Sequence, residues 1–342
     1  MKNLFKKSLL LIMILGFLCT GCDKSKDNVD DKKKDEEVKE PVVEKKVSII
    51  DTESNLRPIA VMINNHKDAR PQVGLKSAFI VYELMVEGGI TRMMALFEPT
   101  FEEEKIGSVR SARHNYLDYA MENDAIFVHW GDSIYANQDM KSLKIDHIDG
   151  MVYGNKYFTT DKNLKRSLEH TRFTSSSMLN EAVDKLIKRK TTDKGHLLNY
   201  TTDTVDLSIM AGAQKADNVA IKYSNYQTSS YEYDAENQVY KHFMAGKAHT
   251  DLNTGEQYTF KNIIAYDVTY KRISDHDHQD LQNIGSGTGV YITNGYSIPI
   301  KWEKKARDGK TKYMYQDGTE LKVSDGNTFI QVYPKTGSLT IN

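Results

Sequence analysis

Arginine is concentrated in one stretch of the chain, residues 57–113. Half of the ten arginines fall there, together with only three lysines. These arginines are Arg57, Arg70, Arg92, Arg110 and Arg113. The planar guanidinium group binds a carboxylate or a phosphate through two parallel hydrogen bonds, which the point charge of lysine does not do. The bias therefore indicates either recognition of an anion or a set of internal ion pairs.

The sharpest case is the stretch IGSVRSARHN, residues 106–115. Ser111 is expected to cap a helix that begins at Ala112. A helix start offers free N–H groups and a partial positive charge, and both suit an anion. Arg110 and Arg113 would flank that helix start, so the pattern predicts an anion site there.

Internal pairing is the alternative for these arginines. Glu83 and Glu87 alternate with apolar residues in the strand that is predicted to precede them. Their carboxylates would neutralise the guanidinium groups. Two interpretations therefore stay open: a ligand-binding face, or ion pairs that are structural or belong to an interface.

The stretch VHWGDS, residues 128–133, brings His129, Asp132 and Ser133 to a predicted strand-to-helix turn. A hydrolase uses His as a general base and Ser as a nucleophile. The order and spacing match no catalytic triad, however, and the glycines of a nucleophile elbow are missing. A turn of this composition more often caps a helix.

The stretch DHDHQD, residues 275–280, holds two His and three Asp, which are metal-ligating residue types. It falls between predicted strands, where Asp is common in turns. We predict no metal site and no cofactor, although the sequence leaves metal binding by this loop undecided.

The N-terminus predicts export and lipidation. A positively charged start precedes an apolar run, residues 8–18, which is too short to span a membrane and fits a secretory signal. Residues 1–21 therefore form a predicted lipoprotein signal peptide, and Cys22 is the predicted site of lipid (palmitate) attachment. Cys19 stands where such signals usually carry Leu, and an ordinary cleaved signal or an uncleaved anchor are the alternatives. The mature chain then has no cysteine for a disulfide or a thiol nucleophile.

The rest of the chain divides by composition. Residues 22–46 form a predicted disordered, charged tether, because a segment of mixed charges with few apolar residues cannot bury a core. Residues 47–210 are predicted to form an N-terminal domain, and residues 218–342 a C-terminal domain. The formal net charge is −1 at pH 7, which gives no sign of the basic face that nucleic acid requires.

Apolar strands and helices alternate in the predicted N-terminal domain. The strands are IAVMIN (59–64), AFIVYEL (78–84), ITRMMALF (90–97) and AIFVHW (125–130), and the helices span 113–123 and 179–187. Gly88-Gly89 predicts a hairpin between the second and third strands.

From about residue 219, short β runs follow one another, with hairpin turns at Asn294-Gly295 and Asp317-Gly318. The predicted fold is an α/β (or α+β) N-terminal domain with a mixed sheet, followed by a smaller, mostly antiparallel β C-terminal domain.

Several long motifs resemble the YerB-like family of bacterial lipoproteins. In the first half these are RPIAVMINN, ARPQVGL, VYELMVEGGITR, IGSVRSAR and VHWGDS, and in the second half YEYDAENQVYKHFMAG, HTDLNTGEQYTFKNIIAY, GSGTGVYITNG and NTFIQVYP. The resemblance covers roughly residues 55–335. It implies a lipid-anchored exported protein with an N-terminal domain and a smaller β-rich C-terminal domain, and it implies no established activity.

The pattern of that family maps onto individual residues of this chain. They are Arg57, Asn64, Arg70, Glu83, Glu87, Gly88, Gly89, Arg92, Arg110, Arg113, His129, Gly131 and Asp132. In EHTRFTSS, His170 resembles the His of a Pro-His-Asn element, whose neighbours differ here. The predicted ligand-binding residues are the polar members of this set, together with Ser111 and His170.

The sequence thus favours a non-enzymatic binding module on the extracytoplasmic face of the cell membrane, anchored by lipid on Cys22. Its arginine-rich face would hold an anionic cell-wall ligand or an acidic segment of an envelope protein. One alternative is an envelope hydrolase that uses His129 or His170 with Glu83, Glu87 or Asp132. Another is a scaffold whose β-rich domain recruits an envelope synthesis protein by strand addition.

Overall fold

The structure is a computed structural model that describes residues 46–342. The predicted signal peptide, the predicted lipidation site Cys22 and nearly all of the predicted tether lie outside the described residues. Across residues 46–342, no helix is both long enough and apolar enough to cross a membrane.

Strands dominate the described residues, and the helices are short. The strands are β1 (Ile59–Asn64), β2 (Ile80–Met85), β3 (Thr91–Phe97), β4 (Ile106–Gly107), β5 (Ile126–His129), β6 (His147–Asp149), β7 (Thr159–Thr160), β8 (Arg172–Thr174), β9 (Asn199–Thr201), β10 (Gln214–Lys215), β11 (Asn218–Lys222), β12 (Thr228–Asp234), β13 (Val239–Met244), β14 (Lys247–Ala248), β15 (Thr259–Phe260), β16 (Asn262–Arg272), β17 (Gln279–Gln282), β18 (Gly285–Thr293), β19 (Tyr296–Lys304), β20 (Lys312–Met314), β21 (Lys322–Ser324), β22 (Thr328–Pro334) and β23 (Ser338–Ile341). The α-helices are α1 (His114–Glu122), α2 (Ile134–Ser142), α3 (Gly150–Tyr153) and α4 (Ser176–Leu186). Short 3-10 helices span Lys67–Ala69, Glu87–Gly89, Gly154–Lys156, Leu168–His170 and Leu207–Ile209.

A twelve-stranded mixed sheet organises the fold. Its strand order is β10-β19-β18-β16-β22-β2-β3-β1-β5-β6, with β17 beside β16 and β20 beside β19. β3 is antiparallel to both β1 and β2, whereas β5 is parallel to β1 and β6. β22 is parallel to both of its neighbours, β16 and β2.

Strand β1 shows that this sheet is covered on both faces. All six of its residues are buried. Because successive side chains of a strand point to opposite faces, Ala60 and Met62 lie in one hydrophobic core and Val61 and Ile63 in the other. The unbroken apolar run IAVMIN is typical of such a doubly buried strand.

Helices α1 and α2 cover one face of the large sheet, and a second sheet together with α4 covers the other. Tyr116 and Leu117 of α1 pack into the first core. The second sheet has the order β14-β13-β12-β11-β23, with β15 beside β13, and is antiparallel throughout. Its Val219 and Ile221 pack into the second core, where Leu179 of α4 joins them.

Two predicted hairpins are confirmed. β2 and β3 are antiparallel neighbours joined through Glu87–Gly89, where Gly88 and Gly89 have φ of 66° and 70°. Only glycine adopts this left-handed region without a steric cost. β18 and β19 are joined by Asn294 and Gly295, with φ of 51° and 78°, as a two-residue hairpin turn of type I′ requires.

The predicted fold class is confirmed, with a mixed sheet and few helices in the first half and antiparallel β structure in the second. The sequence did not show that the mixed sheet continues across both halves. Strands β16, β18, β19 and β22 come from the second half, yet β22 pairs directly with β2. The domain limits 47–210 and 218–342 remain predictions from the sequence.

Candidate functional site

Most of the predicted ligand-binding residues gather at one edge of the large sheet, where β1 and β5 end. Asn64 closes β1 and His129 closes β5. Arg92 stands opposite Asn64 at the start of β3, because the two strands are antiparallel and in register there. The carboxyl ends of parallel strands are a common place for ligand sites in open sheets.

An extended segment, residues 108–112, runs between these two strand ends and positions Arg110. The amide N–H of Arg110 donates to the Met62 carbonyl at 2.9 Å, and the Arg110 carbonyl accepts from the Trp130 amide at 3.1 Å. One side of the segment therefore pairs with β1, and the other side pairs with the chain that follows β5.

The prediction that Ser111 caps a helix beginning at Ala112 is wrong. Helix α1 begins at His114, and its N-cap residue, Arg113, makes no side-chain capping bond. The Ala112 amide is already paired with the Gly131 carbonyl at 2.9 Å, which holds this backbone extended. Ser111 contributes its carbonyl instead, as the acceptor for Arg92 Nη1.

Arg92, Arg110 and Arg113 form what we call the arginine cluster. Arg113 Nε donates to Glu87 Oε1 at 2.5 Å, and Arg92 Nη2 lies 3.8 Å from Glu87 Oε2. Arg110 Nη2 pairs with Glu169 Oε2 at 2.6 Å. Within residues 46–342, three guanidinium groups thus share two carboxylate partners, so the cluster carries surplus positive charge.

The electrostatics of Arg92 and Glu87 reflect this surplus. Burial and the like charge of Arg113, with a smaller effect from Arg110, lower the pKa of Arg92 to about 9 despite the opposing charge of Glu87. Burial alone would raise the pKa of Glu87, but the hydrogen bond and charge of Arg113, together with the charge of Arg92, lower it. Another negative group near Arg92 would relieve the repulsion between the arginines.

His170 lies beside the cluster, and Asn64 fixes its tautomer. Asn64 Oδ1 accepts from the His66 amide at 3.1 Å, so its Nδ2 must face His170 Nδ1, which lies 2.8 Å away. Nδ1 therefore accepts, and the neutral ring carries its proton on Nε2. Burial, with the charges of His66 and Arg110, lowers the pKa of His170 although Glu169 opposes this shift. His170 is thus a neutral hydrogen-bond donor.

Glu169 and His66 connect this donor to the arginines. Glu169 pairs with Arg110, and its Oε1 lies 3.8 Å from His170 Nε2. The rings of His66 and His170 stack, with centroids 5.1 Å apart and planes inclined by 10°. Asn64, His66, Glu169 and His170 are called the histidine cluster below, and the two clusters together form the carboxyl-edge site.

Glu83 belongs to a different environment, between the two sheets. It is fully buried and makes no ion pair within 4.0 Å among the described residues. Its oxygens accept hydrogen bonds from five neutral donors, which are Asn65 (3.1 Å), Thr91 (2.6 Å), Gln227 (3.0 Å), Ser229 (2.5 Å) and Gln331 (3.1 Å). Glu83 therefore does not neutralise the arginine cluster, and of the two predicted carboxylates only Glu87 does so.

Arg57 and Arg70 also lie apart from the carboxyl-edge site. Arg57 precedes β1, at the opposite end of that strand, and donates to Asp146, to the Asp124 carbonyl at 2.7 Å and to two further carbonyls. It is 3% exposed and satisfied, so its geometry is that of a structural residue. Arg70 contacts residues of the second half, beginning with Gln227 at 2.6 Å.

His129 and Asp132 do not form a hydrolytic centre. The Nδ1–H of His129 donates to the Gly131 carbonyl at 2.8 Å, so its Nε2 accepts from His147 Nδ1 at 2.9 Å. Burial lowers the pKa of His129, and no ring nitrogen is left to act as a base. Asp132 accepts from Asn137 at 3.2 Å, and Ser133 caps α2, as a turn of this composition favours.

Two groups of residues have the spacing of metal ligands in the part of the chain that the structure describes. They are His66, Asp68 and His170, and His129, Asp132 and Asp149. In each group one histidine is already engaged, since Asn64 donates to His170 Nδ1 and both nitrogens of His129 are bonded. In the loop of residues 275–280, Asp277 instead accepts from the Gly88 amide at 2.8 Å.

Sequence reasoning missed His66 and treated Glu169 only as a departure from a motif. His66 follows the end of β1 by two residues, a position at which side chains reach the carboxyl edge of a sheet. That spacing could have pointed to His66. Nothing local pointed to Glu169, because its partner Arg110 lies 59 residues earlier in the printed sequence.

The comparisons with known proteins agree with the predicted resemblance. The N-terminal domain of the family described as "Protein of unknown function (DUF3048)" matches residues 47–191, and its C-terminal domain matches residues 219–330. "Putative lipoprotein YerB" of Bacillus subtilis (strain 168) is 30% identical over 329 residues, which is 95% of this chain and 94% of that protein.

A solved structure extends the comparison to the fold. The crystal structure of the YerB protein from Bacillus subtilis superposes with a TM-score of 0.72 and 28% sequence identity. The match covers 83% of this chain and 94% of that one. The predicted resemblance to YerB-like proteins is confirmed, and the chain belongs to the DUF3048 family.

Proposed function

We propose that this protein is a lipid-anchored, non-enzymatic binding protein of the cell envelope, and that the carboxyl-edge site holds an anionic envelope ligand. Such a ligand would be a peptidoglycan carboxylate, a teichoic-acid phosphate or an acidic segment of a partner protein. The anchor would be a lipid on Cys22. The relative from Bacillus subtilis that is named a putative lipoprotein supports this part of the proposal.

The observation that carries the proposal is the excess of guanidinium groups over carboxylates around Arg92. Arg92 is 4% exposed, yet its one carboxylate neighbour among residues 46–342, Glu87, lies 3.8 Å away and is shared with Arg113. Burying an arginine without full pairing is costly. An anion between Arg92, Arg110 and Arg113 would supply the missing charge and accept hydrogen bonds from their planar groups.

His170 adds a neutral donor to this arrangement. Its tautomer leaves Nε2–H available beside Arg110, where the nearest acceptor is Glu169 at 3.8 Å, beyond hydrogen-bonding distance. A ligand oxygen that displaces Glu169 from Arg110 would gain both donors. His129 lends no support to the hydrolase alternative, because its ring bonds to the Gly131 carbonyl and to His147, and it shares no hydrogen-bond partner with Glu83 in the described range.

We expect anions to stabilise the protein through this site. The full chain, purified in detergent, is titrated with inorganic phosphate, glycerol phosphate and muropeptide fragments while its melting temperature is recorded. A ligand present at one hundred times its Kd adds about 2.7 kcal/mol to the free energy of unfolding. Arg110→Ala/Arg113→Ala should remove most of the shift, and His170→Ala should reduce it.

Arg189→Ala provides the matched control. Arg189 pairs with Asp124, which also contacts Arg57 at the opposite end of β1, so its loss removes a guanidinium group without touching the carboxyl-edge site. The control should retain the shift of the wild type. The same shift in Arg110→Ala/Arg113→Ala as in the wild type would refute the proposal.

A further inference from the structure

A separate cavity lies between the two halves of the sequence. Its volume is about 340 Å³, within the range of small-molecule sites. One wall is the connection between β1 and β2, which supplies Lys67, Arg70 and Pro71. The other wall is the β13–β14 hairpin with the residues that follow it, 244–250. Neither half of the chain forms this cavity alone.

Arg70 is the anchor of the cavity, and neutral groups hold its guanidinium plane. Nε donates to Asn65 Oδ1 at 3.2 Å, and Nη2 donates to the Asn65 carbonyl at 2.9 Å and to Gln227 Oε1 at 2.6 Å. Among residues 46–342, no carboxylate comes within 4.0 Å of Arg70, and its Nη1 has no hydrogen-bond partner. The group therefore has a fixed orientation, and Nη1 is its one nitrogen without a partner among these residues.

Glu83 offsets the charge of Arg70 only through an intermediate side chain. Gln227 accepts from Arg70 and donates from Nε2 to Glu83 Oε1 at 3.0 Å. Asn65 connects the same two residues through its own amide. The carboxylate thus stabilises Arg70 from the protein side, sealed between the sheets, and cannot occupy the cavity.

The remaining walls of the cavity carry positive charge and apolar surface. Lys67 and Lys247 are exposed, and no acidic residue lines the cavity. Pro71, Met244, Ala245 and Ala248 supply apolar contacts. The imidazole of His249 is buried and donates from Nε2 to Gln72 Oε1 at 2.9 Å. The lining therefore combines two flexible cations with one fixed guanidinium beside an apolar surface.

We propose that this cavity binds a small molecule that carries a phosphate or carboxylate group and a short apolar portion. The anion meets Nη1 of Arg70, while Lys67 and Lys247 close on it from the rim. The apolar portion lies against Pro71 and Met244. The two N–H groups of Nη1 can donate to an oxygen of either anion, so the probes must separate the two chemistries.

Isothermal titration of the full chain in detergent tests the proposal with inorganic phosphate, glycerol 3-phosphate and butyrate. Lys67→Ala/Lys247→Ala removes two exposed side chains and so leaves the fold intact. We expect this variant to bind roughly tenfold more weakly, since two solvent-screened charges are together worth about one order of magnitude in Kd. Arg70→Lys keeps the charge but loses the planar group, and should weaken binding similarly.

The Arg110→Ala/Arg113→Ala variant distinguishes this cavity from the carboxyl-edge site, because it should leave the affinity of the cavity unchanged. Lys185→Ala, on the surface of α4, is the control for loss of an exposed lysine. Phenylglyoxal labelling read by mass spectrometry provides a second measurement, in which the ligand should protect Arg70. Absence of binding by all three probes at millimolar concentration would overturn the proposal. An affinity unchanged in Lys67→Ala/Lys247→Ala and in Arg70→Lys would also overturn it.

Discussion

Replacing Lys304 with methionine should lower the free energy of unfolding by about 3–5 kcal/mol, because the change leaves a buried charge without its partner. Lys304 on β19 is 1% exposed and pairs at 2.7 Å with Glu122 of α1, which is fully buried. The hydroxyl groups of Thr311 and Tyr82 also donate to Glu122, at 2.6 Å and 2.7 Å, as does the Thr311 amide at 3.1 Å. Without the ammonium group, the Glu122 carboxylate keeps these three neutral donors but loses its counter-ion.

Urea unfolding measures this effect, because the midpoint and slope of the transition give the free energy of unfolding. The double variant Lys304→Met/Glu122→Gln should recover much of the loss, since it removes both charges and keeps an acceptor for Thr311. Lys185→Met, which breaks the exposed pair with Glu181 on α4, should change stability little. A loss in Lys304→Met no greater than in Lys185→Met would show that the buried pair contributes nothing.

Acidification below pH 6.5 should destabilise the protein steeply, because two adjacent histidines are buried without charge. His242 and His249 are bonded to each other through their Nδ1 atoms, 2.8 Å apart, and neither is more than 2% exposed. Burial and the nearby charge of Arg70 lower the pKa of His242 to about 3. Burial, His242 and Arg70 lower the pKa of His249 well below its ordinary value.

The sign follows from proton uptake. In the unfolded chain both histidines titrate near pH 6.5. Below that pH the unfolded state therefore binds protons that the folded state does not bind, and the free energy of unfolding falls. The stabilisation is present above pH 6.5 and is lost as the pH falls, down to about pH 3 for His242. Each histidine contributes about 1.4 kcal/mol per pH unit in this window, so the pair should cost about 4 kcal/mol between pH 7 and pH 5.

Urea unfolding between pH 7 and pH 5 gives this slope. His242→Gln should reduce the slope by about 1.4 kcal/mol per pH unit, whatever its effect on stability at pH 7. The other buried histidines add to the slope of every variant, so only the difference is diagnostic. His276→Gln, which removes an exposed ring, should leave the slope unchanged. An identical slope in His242→Gln and the wild type would show that His242 takes up a proton in the folded state.

The sequence predicted the local features of the fold well, because they depend on neighbouring residues. The apolar run of β1, the glycine pair after β2 and the amphipathic pattern of α4 each carry their own signal. The start of α1 was predicted two residues too early, because a capping preference at Ser111 is local. The pairing of Ala112 with Gly131 that overrides it connects distant parts of the chain.

The sequence indicated the chemistry of the candidate site, but it did not indicate which residues lie together there. A concentration of arginine indicates anion recognition or ion pairing, and the structure shows ion pairs for Arg57, Arg110 and Arg113. The arginine content of the sequence cannot tell that Arg57 lies at the opposite end of β1, or that Arg70 faces the second half of the chain. Glu83 and Glu87 share one sequence motif, yet Glu83 points between the sheets while Glu87 meets Arg113. Only tertiary pairing separates such neighbours.

The position of β22 has a consequence for how the chain folds. This strand is formed by residues 328–334 and completes the pairing of β2, which was made almost 250 residues earlier. Until nearly the whole chain is available, β2 presents an open edge, and contacts between such distant residues slow folding. A copy that ends before residue 328 therefore cannot close its central sheet, because β2 and β16 would lack the strand that lies between them.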